Sequence, residues 1–333
     1  MSKIQELFRS QVYARADEKP YVFLFSHTDF EGLRMKGYNI ESSLGHTLVG
    51  GFYYYDNPKK DKLVIFDHGM FGGRRSYMRE IEMLARHGYL VYAYDHTGCM
   101  ESGGQDNGGF SGSLRDLDEV ITRLKELDEI KGRELYVMGH SWGGFSTLNI
   151  AKFHPDIKKI VALAGFISPK VIIKQHVNGP YSIFSGIIYR GEVKSSPKYM
   201  KCSAIDTLKN SDVKAFICHS YDDHMVNFKK NFVRLRKALR KRPSTVFLSV
   251  PGADHNPNYT KEAIIAKKEF YQKMQKALDE GKLNTHEECE AFKKNFDWYK
   301  ITEQNQFVWD KIFAFLDDTL AFEPFLSKIK RRG

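Results

Sequence analysis

Three short polar segments of the chain contain residue types that could perform nucleophilic catalysis. Residues 139–143 read Gly-His-Ser-Trp-Gly and place Ser141 between glycines. Two adjacent carboxylates, Asp222 and Asp223, follow later in the chain, and His255 follows them. A serine hydroxyl becomes a strong nucleophile when a histidine takes its proton and a carboxylate stabilises the resulting cation. The three segments therefore predict acyl transfer to water, with the acyl group held covalently on Ser141 during the reaction.

The elements that precede these segments decide whether the three side chains can meet. Short apolar runs at residues 135–138, 215–218 and 245–250 lead into the serine, the aspartates and the histidine, and each run is typical of a buried strand. A strand that enters Gly-x-Ser-x-Gly and a helix that leaves it form the sharp turn that exposes a nucleophilic serine. Because the carboxyl ends of parallel strands share one edge of a sheet, we expect the three side chains to lie together there.

A fourth segment could stabilise the negative charge that develops during acyl transfer. Residues 67–73 read Asp-His-Gly-Met-Phe-Gly-Gly and follow another apolar run at residues 63–66. Backbone N–H groups aimed at the former carbonyl oxygen form an oxyanion hole, and losing one donor costs roughly 3–4 kcal/mol of barrier. We predict the backbone N–H groups of Met70 and Trp142 as the two donors.

The order of the predicted elements indicates an α/β fold with a mostly parallel central sheet and helices on both faces. We expect residues 1–333 to form a single domain, with antiparallel strands leading in at residues 21–56. The alternation breaks at residues 165–212, whose aromatic residues, glycines and prolines predict a small cap or insertion. Residues 259–304 have helical spacing and predict a helical insertion before a closing helix at residues 306–320.

With these motifs the sequence resembles the α/β-hydrolase superfamily, in the branch of serine esterases, monoacylglycerol-lipase-like lipases and serine-aminopeptidase-like enzymes. Residues 68–72 resemble the oxyanion motif of that superfamily, and residues 95–102 resemble a loop whose role there is generally structural. In its acid motif the aspartate is usually followed, after two residues, by valine. Asp223 and Val226 fit that spacing, so the resemblance favours Asp223 over Asp222 as the triad acid.

Composition argues against several other classes of protein. The formal net charge is +10, but the densest basic run, residues 229–242, has apolar positions at helical spacing. We interpret it as an amphipathic helix with a solvated basic face, and no nucleic-acid partner is expected. The four cysteines are scattered and predict neither a metal site nor a disulfide scaffold. Without a membrane-spanning apolar run or a signal-peptide pattern, the chain is expected to be cytoplasmic.

The same residues leave several reactions and substrates open. A serine peptidase or amidase uses the same triad, and in an acyltransferase a nucleophile other than water accepts the acyl group. A non-enzymatic binding protein is disfavoured because serine, aspartate and histidine are all present. No metal or organic cofactor is expected, and the oligomeric state is not predicted. Loop residues that could line an apolar pocket for a small-molecule ester are Phe71, Phe110, Phe166, Ile167, Tyr181, Phe184 and Tyr189.

Overall fold

A sheet of eight strands runs through the residues that the computed structural model describes, which are 3–56, 58–59, 61–177 and 183–320. The strands of this part of the chain are β1 (Arg34–Gly37), β2 (Ile40–Glu41), β3 (Thr47–Leu48), β4 (Gly50–Tyr54), β5 (Lys62–Asp67), β6 (Leu90–Tyr94), β7 (Glu134–His140), β8 (Lys159–Leu163), β9 (Lys214–Ser220) and β10 (Thr245–Val250). Their order across the sheet is β1-β4-β6-β5-β7-β8-β9-β10, and β2 pairs with β3 separately.

The sheet is mostly parallel, as the sequence predicts. Strands β5 to β10 run parallel to one another, whereas β4 pairs antiparallel with both β1 and β6. Along β5, Leu63 and Ile65 point into one core cluster, while Val64 and Phe66 point into another. Since both faces are covered, these strands are continuous apolar runs rather than alternating ones.

Helices cover the two faces of the sheet, as predicted. The α-helices are α1 (Lys3–Val12), α2 (Met78–Arg86), α3 (Gly112–Leu124), α4 (Trp142–Asn149), α5 (Pro169–His176), α6 (Ser185–Ser195), α7 (Pro197–Met200), α8 (Ala204–Lys209), α9 (Arg234–Ala238), α10 (Lys261–Asp279), α11 (His286–Lys293), α12 (Trp298–Ile301) and α13 (Gln306–Leu316). Leu117 of α3 and Phe145 of α4 pack on one face, and Ile81 of α2 and Trp309 of α13 pack on the other. Short 3₁₀ helices lie at His27–Asp29, Arg74–Tyr77 and Ile150–Lys152.

The basic segment at residues 229–242 is less regular than the single helix predicted for it. It begins with a π-helical turn, Lys229–Val233, and continues as α9. The side chain of Asn231 is fully buried and accepts a hydrogen bond from the Ile167 N–H at 3.1 Å while its amide donates to the Asn227 carbonyl at 3.1 Å. These bonds hold the residue inward, and a π bulge of this kind accommodates it within the helix.

Two segments stand outside the alternation of strands and helices. Residues 165–212 contain α5 to α8, apart from residues 178–182, which lie outside the described part of the chain together with the predicted pocket residue Tyr181. Residues 259–304 contain α10 to α12, and Thr285 caps α11 with Glu288 in the capping box that the sequence predicts. Within the described ranges, none of the helices combines the length and apolar character needed to cross a membrane.

Candidate active site

Ser141 lies at the turn between β7 and α4. Its backbone has φ 57° and ψ −109°, a positive φ that non-glycine residues rarely adopt. The Ser141 N–H donates to the Leu163 carbonyl of β8 at 2.8 Å, and the Ser141 carbonyl accepts from the Phe145 N–H at 3.0 Å. Strain of this kind persists where the surroundings fix the backbone, and here hydrogen bonds on both sides do so. The turn lifts the serine clear of the strand at the carboxyl edge of the sheet.

The glycines after Ser141 are required by close backbone packing. A Cβ atom on Gly143 would lie 2.0 Å from the Asp67 carbonyl oxygen and 2.7 Å from that of His68. A Cβ atom on Gly144 would lie 2.8 Å from the Cα atom of Gly165. The start of α4 therefore rests directly on the loop that follows β5, which is the loop that contains Met70.

His255 reaches Ser141 from the loop after β10. Its Nε2 lies 2.8 Å from Ser141 Oγ, and its Nδ1 lies 2.9 and 3.0 Å from the two carboxylate oxygens of Asp223. The Asp223 side chain has no exposed surface, whereas that of His255 is 18% exposed. The structure thus brings together the three side chains that the sequence predicts, each from the end of a different strand.

Asp223, rather than Asp222, contacts the histidine. Asp222 is exposed, and its Oδ1 accepts hydrogen bonds from Ser220 Oγ at 2.6 Å and from the Gly252 N–H at 2.9 Å. These bonds join the ends of β9 and β10, so Asp222 acts as a link within the turn.

The environment of Asp223 favours its ionised form. Burial alone would raise the pKa of this carboxyl, but hydrogen bonds from His219 and His255 outweigh burial and hold the pKa below its usual range. His219 Nε2 lies 3.0 Å from Oδ2, and the backbone N–H groups of Met225 and Val226 each donate to Oδ1 at 2.8 Å. The side chain of Asp223 is therefore a buried, fully hydrogen-bonded carboxylate.

Hydrogen bonds fix the peptide that joins Gly69 to Met70. The Gly69 carbonyl accepts from His68 Nδ1 at 2.8 Å and from the Gly72 N–H at 3.1 Å. His68 Nε2 accepts the His96 N–H at 2.8 Å, which leaves the ring proton on Nδ1. In a trans peptide the N–H points away from the carbonyl, so anchoring the Gly69 oxygen also sets the direction of the Met70 N–H. Trp142 is the first residue of α4, where backbone N–H groups have no partner within the helix.

A cluster of buried charged side chains lies behind this peptide, and it was not predicted from the sequence. His96 Nε2 lies 2.8 Å from Asp67 Oδ1, and His96 Nδ1 lies 3.3 Å from Asp116 Oδ2. Burial alone would lower the pKa of His96, but the two carboxylates outweigh it and raise the pKa to about 9. The sequence did contain a signal for two of its members, because Asp67 ends β5 and His96 closely follows the neighbouring strand β6. Asp116 lies on α3 and gave no such signal.

Helix α10, which lies in the segment predicted as a helical insertion, also contacts the site, and the sequence did not predict this contact. Lys267 Nζ donates to Asn256 Oδ1 at 2.9 Å, and Lys268 Nζ lies 3.3 Å from Asp254 Oδ2. Asp254 and Asn256 flank His255 in the chain, so two consecutive lysines of α10 contact the residues on both sides of the histidine. Asp254 also accepts a hydrogen bond from His224 Nδ1 at 2.5 Å.

The described residues among those predicted to line an apolar pocket differ in their exposure. Phe110, Phe166 and Ile167 are almost fully buried and pack in the core rather than forming an open surface. Phe71, next to Met70, is 52% exposed. Phe184 and Tyr189, from the segment predicted as a cap, are half-buried against the core.

Comparisons with known proteins agree with this architecture. The family model described as serine aminopeptidase, S33, matches residues 58–242, more than half of the chain. A proline iminopeptidase of Saccharolobus solfataricus is 26% identical over 150 residues, which are 43% of this chain and 47% of that protein, so the chain spans less than half the length of this relative. An esterase of Pyrococcus furiosus superposes with a TM-score of 0.56 at 19% identity, covering 80% of this chain and 98% of the esterase. Est1E of Butyrivibrio proteoclasticus, solved with ferulic acid, superposes with a TM-score of 0.51 at 20% identity. This match covers 71% of this chain and 98% of Est1E. The structural likenesses show the shared fold.

Proposed function

Because the chain belongs to the serine aminopeptidase S33 family of α/β hydrolases, we propose that it is a serine hydrolase that cleaves a carboxylic ester, or a related acyl bond, through an acyl-enzyme on Ser141. The observation that carries the proposal is the chain of hydrogen bonds from Ser141 Oγ to His255 Nε2, at 2.8 Å, and from His255 Nδ1 to Asp223, at 2.9 Å. A nucleophile, a base and a group that orients the base are the parts that acyl transfer requires.

In the proposed cycle His255 transfers two protons in turn, first from Ser141 to the leaving alcohol and then from water to Ser141. His255 Nε2 takes the Ser141 proton while Ser141 Oγ attacks the substrate carbonyl carbon, and the carbonyl oxygen becomes an oxyanion. The N–H groups of Met70 and Trp142 donate to this oxyanion. The imidazolium then protonates the leaving alcohol as its bond to the acyl carbon breaks. Water, deprotonated by His255, attacks the acyl-enzyme, and His255 passes the water proton to Ser141 Oγ as the acid leaves.

Asp223 supports this cycle electrostatically. As a buried carboxylate with a lowered pKa, it stays ionised while His255 becomes positively charged beside it. Two charges of opposite sign attract more strongly in a buried site than in water, so the imidazolium is stabilised at the moment it forms. Asp223 needs only to keep the Nδ1 proton of His255 in place, and it takes no proton itself.

A peptidase acting at the amino end of peptides is the second candidate, and the family description and the iminopeptidase relative favour it. Such an enzyme needs a free carboxylate near the serine to hold the substrate's ammonium group. Asp254, the carboxylate next to His255, is already bound by His224 and Lys268. Asp254 is therefore not free to bind a substrate ammonium group, and we favour an uncharged ester as the substrate.

The segment predicted as a cap, residues 165–212, is hydrogen-bonded to the loop that contains Asp223. Gln175 of α5 donates to the Met225 carbonyl at 2.7 Å and accepts from the Asn227 N–H at 3.0 Å. Since these bonds join residues 165–212 to the loop that contains Asp223, we propose that this segment covers the substrate side of the site. The predicted cytoplasmic location stays a prediction.

Labelling with a fluorophosphonate tests the nucleophile. We expect one label per chain in the wild-type protein, none in Ser141→Ala and full labelling in the control Ser195→Ala, which changes an exposed serine of α6. Hydrolysis of p-nitrophenyl esters of increasing chain length, compared with aminoacyl p-nitroanilides, then separates esterase from peptidase. Labelling that survives Ser141→Ala would contradict the nucleophile, and faster turnover of the anilides would favour the peptidase.

A further inference from the structure

We propose that His140 and Tyr77 are positioning residues that hold the three catalytic loops in register through a partly buried relay of two hydrogen bonds and one packing contact. The proposal rests on the proposed function, because it assigns these residues to the placement of Ser141, His255 and the oxyanion donors. Neither residue touches the reacting atoms in the proposed cycle.

The first link joins the serine turn to the histidine loop. His140 immediately precedes Ser141, and its Nε2 lies 2.7 Å from the backbone carbonyl oxygen of His255. A carbonyl can only accept, so His140 Nε2 must be the protonated nitrogen. One bond thus ties the residue before the nucleophile to the backbone of the histidine that takes its proton.

The second link joins His140 to the oxyanion loop through Tyr77. With the proton on Nε2, His140 Nδ1 accepts, and the Tyr77 hydroxyl donates to it at 2.8 Å. The tyrosine oxygen also packs directly against Gly69, the residue before Met70. A Cβ atom on Gly69 would lie 2.5 Å from the Tyr77 oxygen, so the contact leaves no room for a side chain there. The relay therefore runs from the segment with Met70, through Tyr77 and His140, to His255.

The relay is suited to holding a position because its histidine stays neutral. Burial, reinforced by the charge of His255, lowers the pKa of His140 to about 3. The two imidazole rings lie 4.8 Å apart, and a second cation at that distance would oppose the imidazolium that forms on His255. A neutral His140 avoids this repulsion and keeps one donor and one acceptor in fixed places.

Loss of the relay is expected to reduce turnover rather than binding. A displacement of about 1 Å at the reacting groups can cost about 100-fold in rate, and His140 fixes two of the loops directly. Phenylalanine fills a similar volume but has neither ring nitrogen, whereas glutamine can place an N–H donor close to the position of Nε2. Tyr77→Phe removes only the hydroxyl and leaves the ring packing in place.

The test compares His140→Phe, His140→Gln and Tyr77→Phe with a matched control, Tyr92→Phe. Tyr92 is a buried tyrosine whose hydroxyl donates to the Tyr38 carbonyl at 2.9 Å, on the antiparallel side of the sheet. We expect kcat for a p-nitrophenyl ester to fall about 100-fold in His140→Phe and about tenfold in Tyr77→Phe, with KM nearly unchanged. His140→Gln should recover most of the loss. The control should keep wild-type kcat even if its Tm falls as far as that of Tyr77→Phe.

The tautomer gives a readout that does not depend on activity. In ¹⁵N spectra of the wild-type protein, His140 should be protonated at Nε2 alone and should not titrate down to about pH 5, in keeping with its pKa of about 3. A proton on Nδ1, a wild-type kcat in His140→Phe, or equal losses in the control and in Tyr77→Phe would each overturn the relay. A wild-type protein that neither takes up fluorophosphonate nor hydrolyses esters refutes the proposed function itself, whereas an active wild type with unaffected variants refutes only the relay.

Discussion

Replacing Asp223 by asparagine should place the wrong group opposite His255. Oδ1 of Asp223 accepts two backbone N–H groups, so the side-chain oxygen of the asparagine will occupy that position. Its NH₂ group must then replace Oδ2, 2.9 Å from His255 Nδ1 and 3.0 Å from His219 Nε2. A donor there favours the tautomer in which His255 Nε2 is protonated. That nitrogen faces Ser141 Oγ and can no longer take its proton.

The expected loss is large because the base itself is disabled. In a serine hydrolase triad the same change lowers kcat about 10⁴-fold, and each factor of ten corresponds to about 1.36 kcal/mol, so the barrier rises by about 5.4 kcal/mol. Asp222→Asn is the matched control. It changes an exposed aspartate whose Oδ1 bonds to Ser220 and Gly252 can be kept by an amide oxygen, so kcat should change by less than about threefold.

Initial rates of p-nitrophenyl ester hydrolysis at saturating substrate provide the assay. Thermal unfolding of both variants should accompany it, so that a loss of folded protein is not taken for a loss of catalysis. The reasoning is refuted if Asp223→Asn keeps more than about a tenth of wild-type kcat. It is also refuted if Asp222→Asn suffers the larger loss.

Two further changes test the surroundings of the triad. The pKa of His96 is raised to about 9 in the folded protein, so its charge should stabilise the fold fully below about pH 6.5, and this stability should be lost as the pH rises through 9. Urea unfolding of the wild type at both ends of this range should show the loss. An equal loss in His96→Gln would contradict the prediction. Gly143→Ala forces a Cβ atom to 2.0 Å from the Asp67 carbonyl oxygen, so it should cost about 1–3 kcal/mol of stability and abolish fluorophosphonate labelling. The control Gly186→Ala, in α6 with open space around it, should instead add about 0.5–1 kcal/mol, and normal labelling of Gly143→Ala would count against the packing argument.

The fold could be predicted from sequence because local signals agree with it. The parallel strands are apolar runs of β-rich residues, and glycine or proline separates most of them from the helices. The site followed from the same rule, since Ser141, Asp223 and His255 each come after a strand. The family spacing to Val226 favoured Asp223, and the structure shows that this aspartate contacts His255 while Asp222 bridges a turn.

Contacts between distant segments could not be predicted. Asp116 belongs to an ordinary amphipathic helix, and only the packing of α3 beside the loop after β6 brings it to His96. The π turn at Lys229–Val233 depends on Asn231 reaching Ile167, 64 residues earlier in the chain. Periodicity reports which face of a helix is buried, but it does not report which side chains meet across an interface.

The two lysines of α10 that hold the residues beside His255 also bear on how the site is assembled during synthesis. A chain made from its amino end produces Ser141 and Asp223 well before the segment that fixes the histidine loop, and α13, which packs Trp309 into the sheet, comes later still. Ser141 therefore leaves the ribosome long before α10 can hold the loop that contains its proposed base, His255. We expect the Ser141 hydroxyl to become fully reactive only after His255 has been made and its loop has packed against α10.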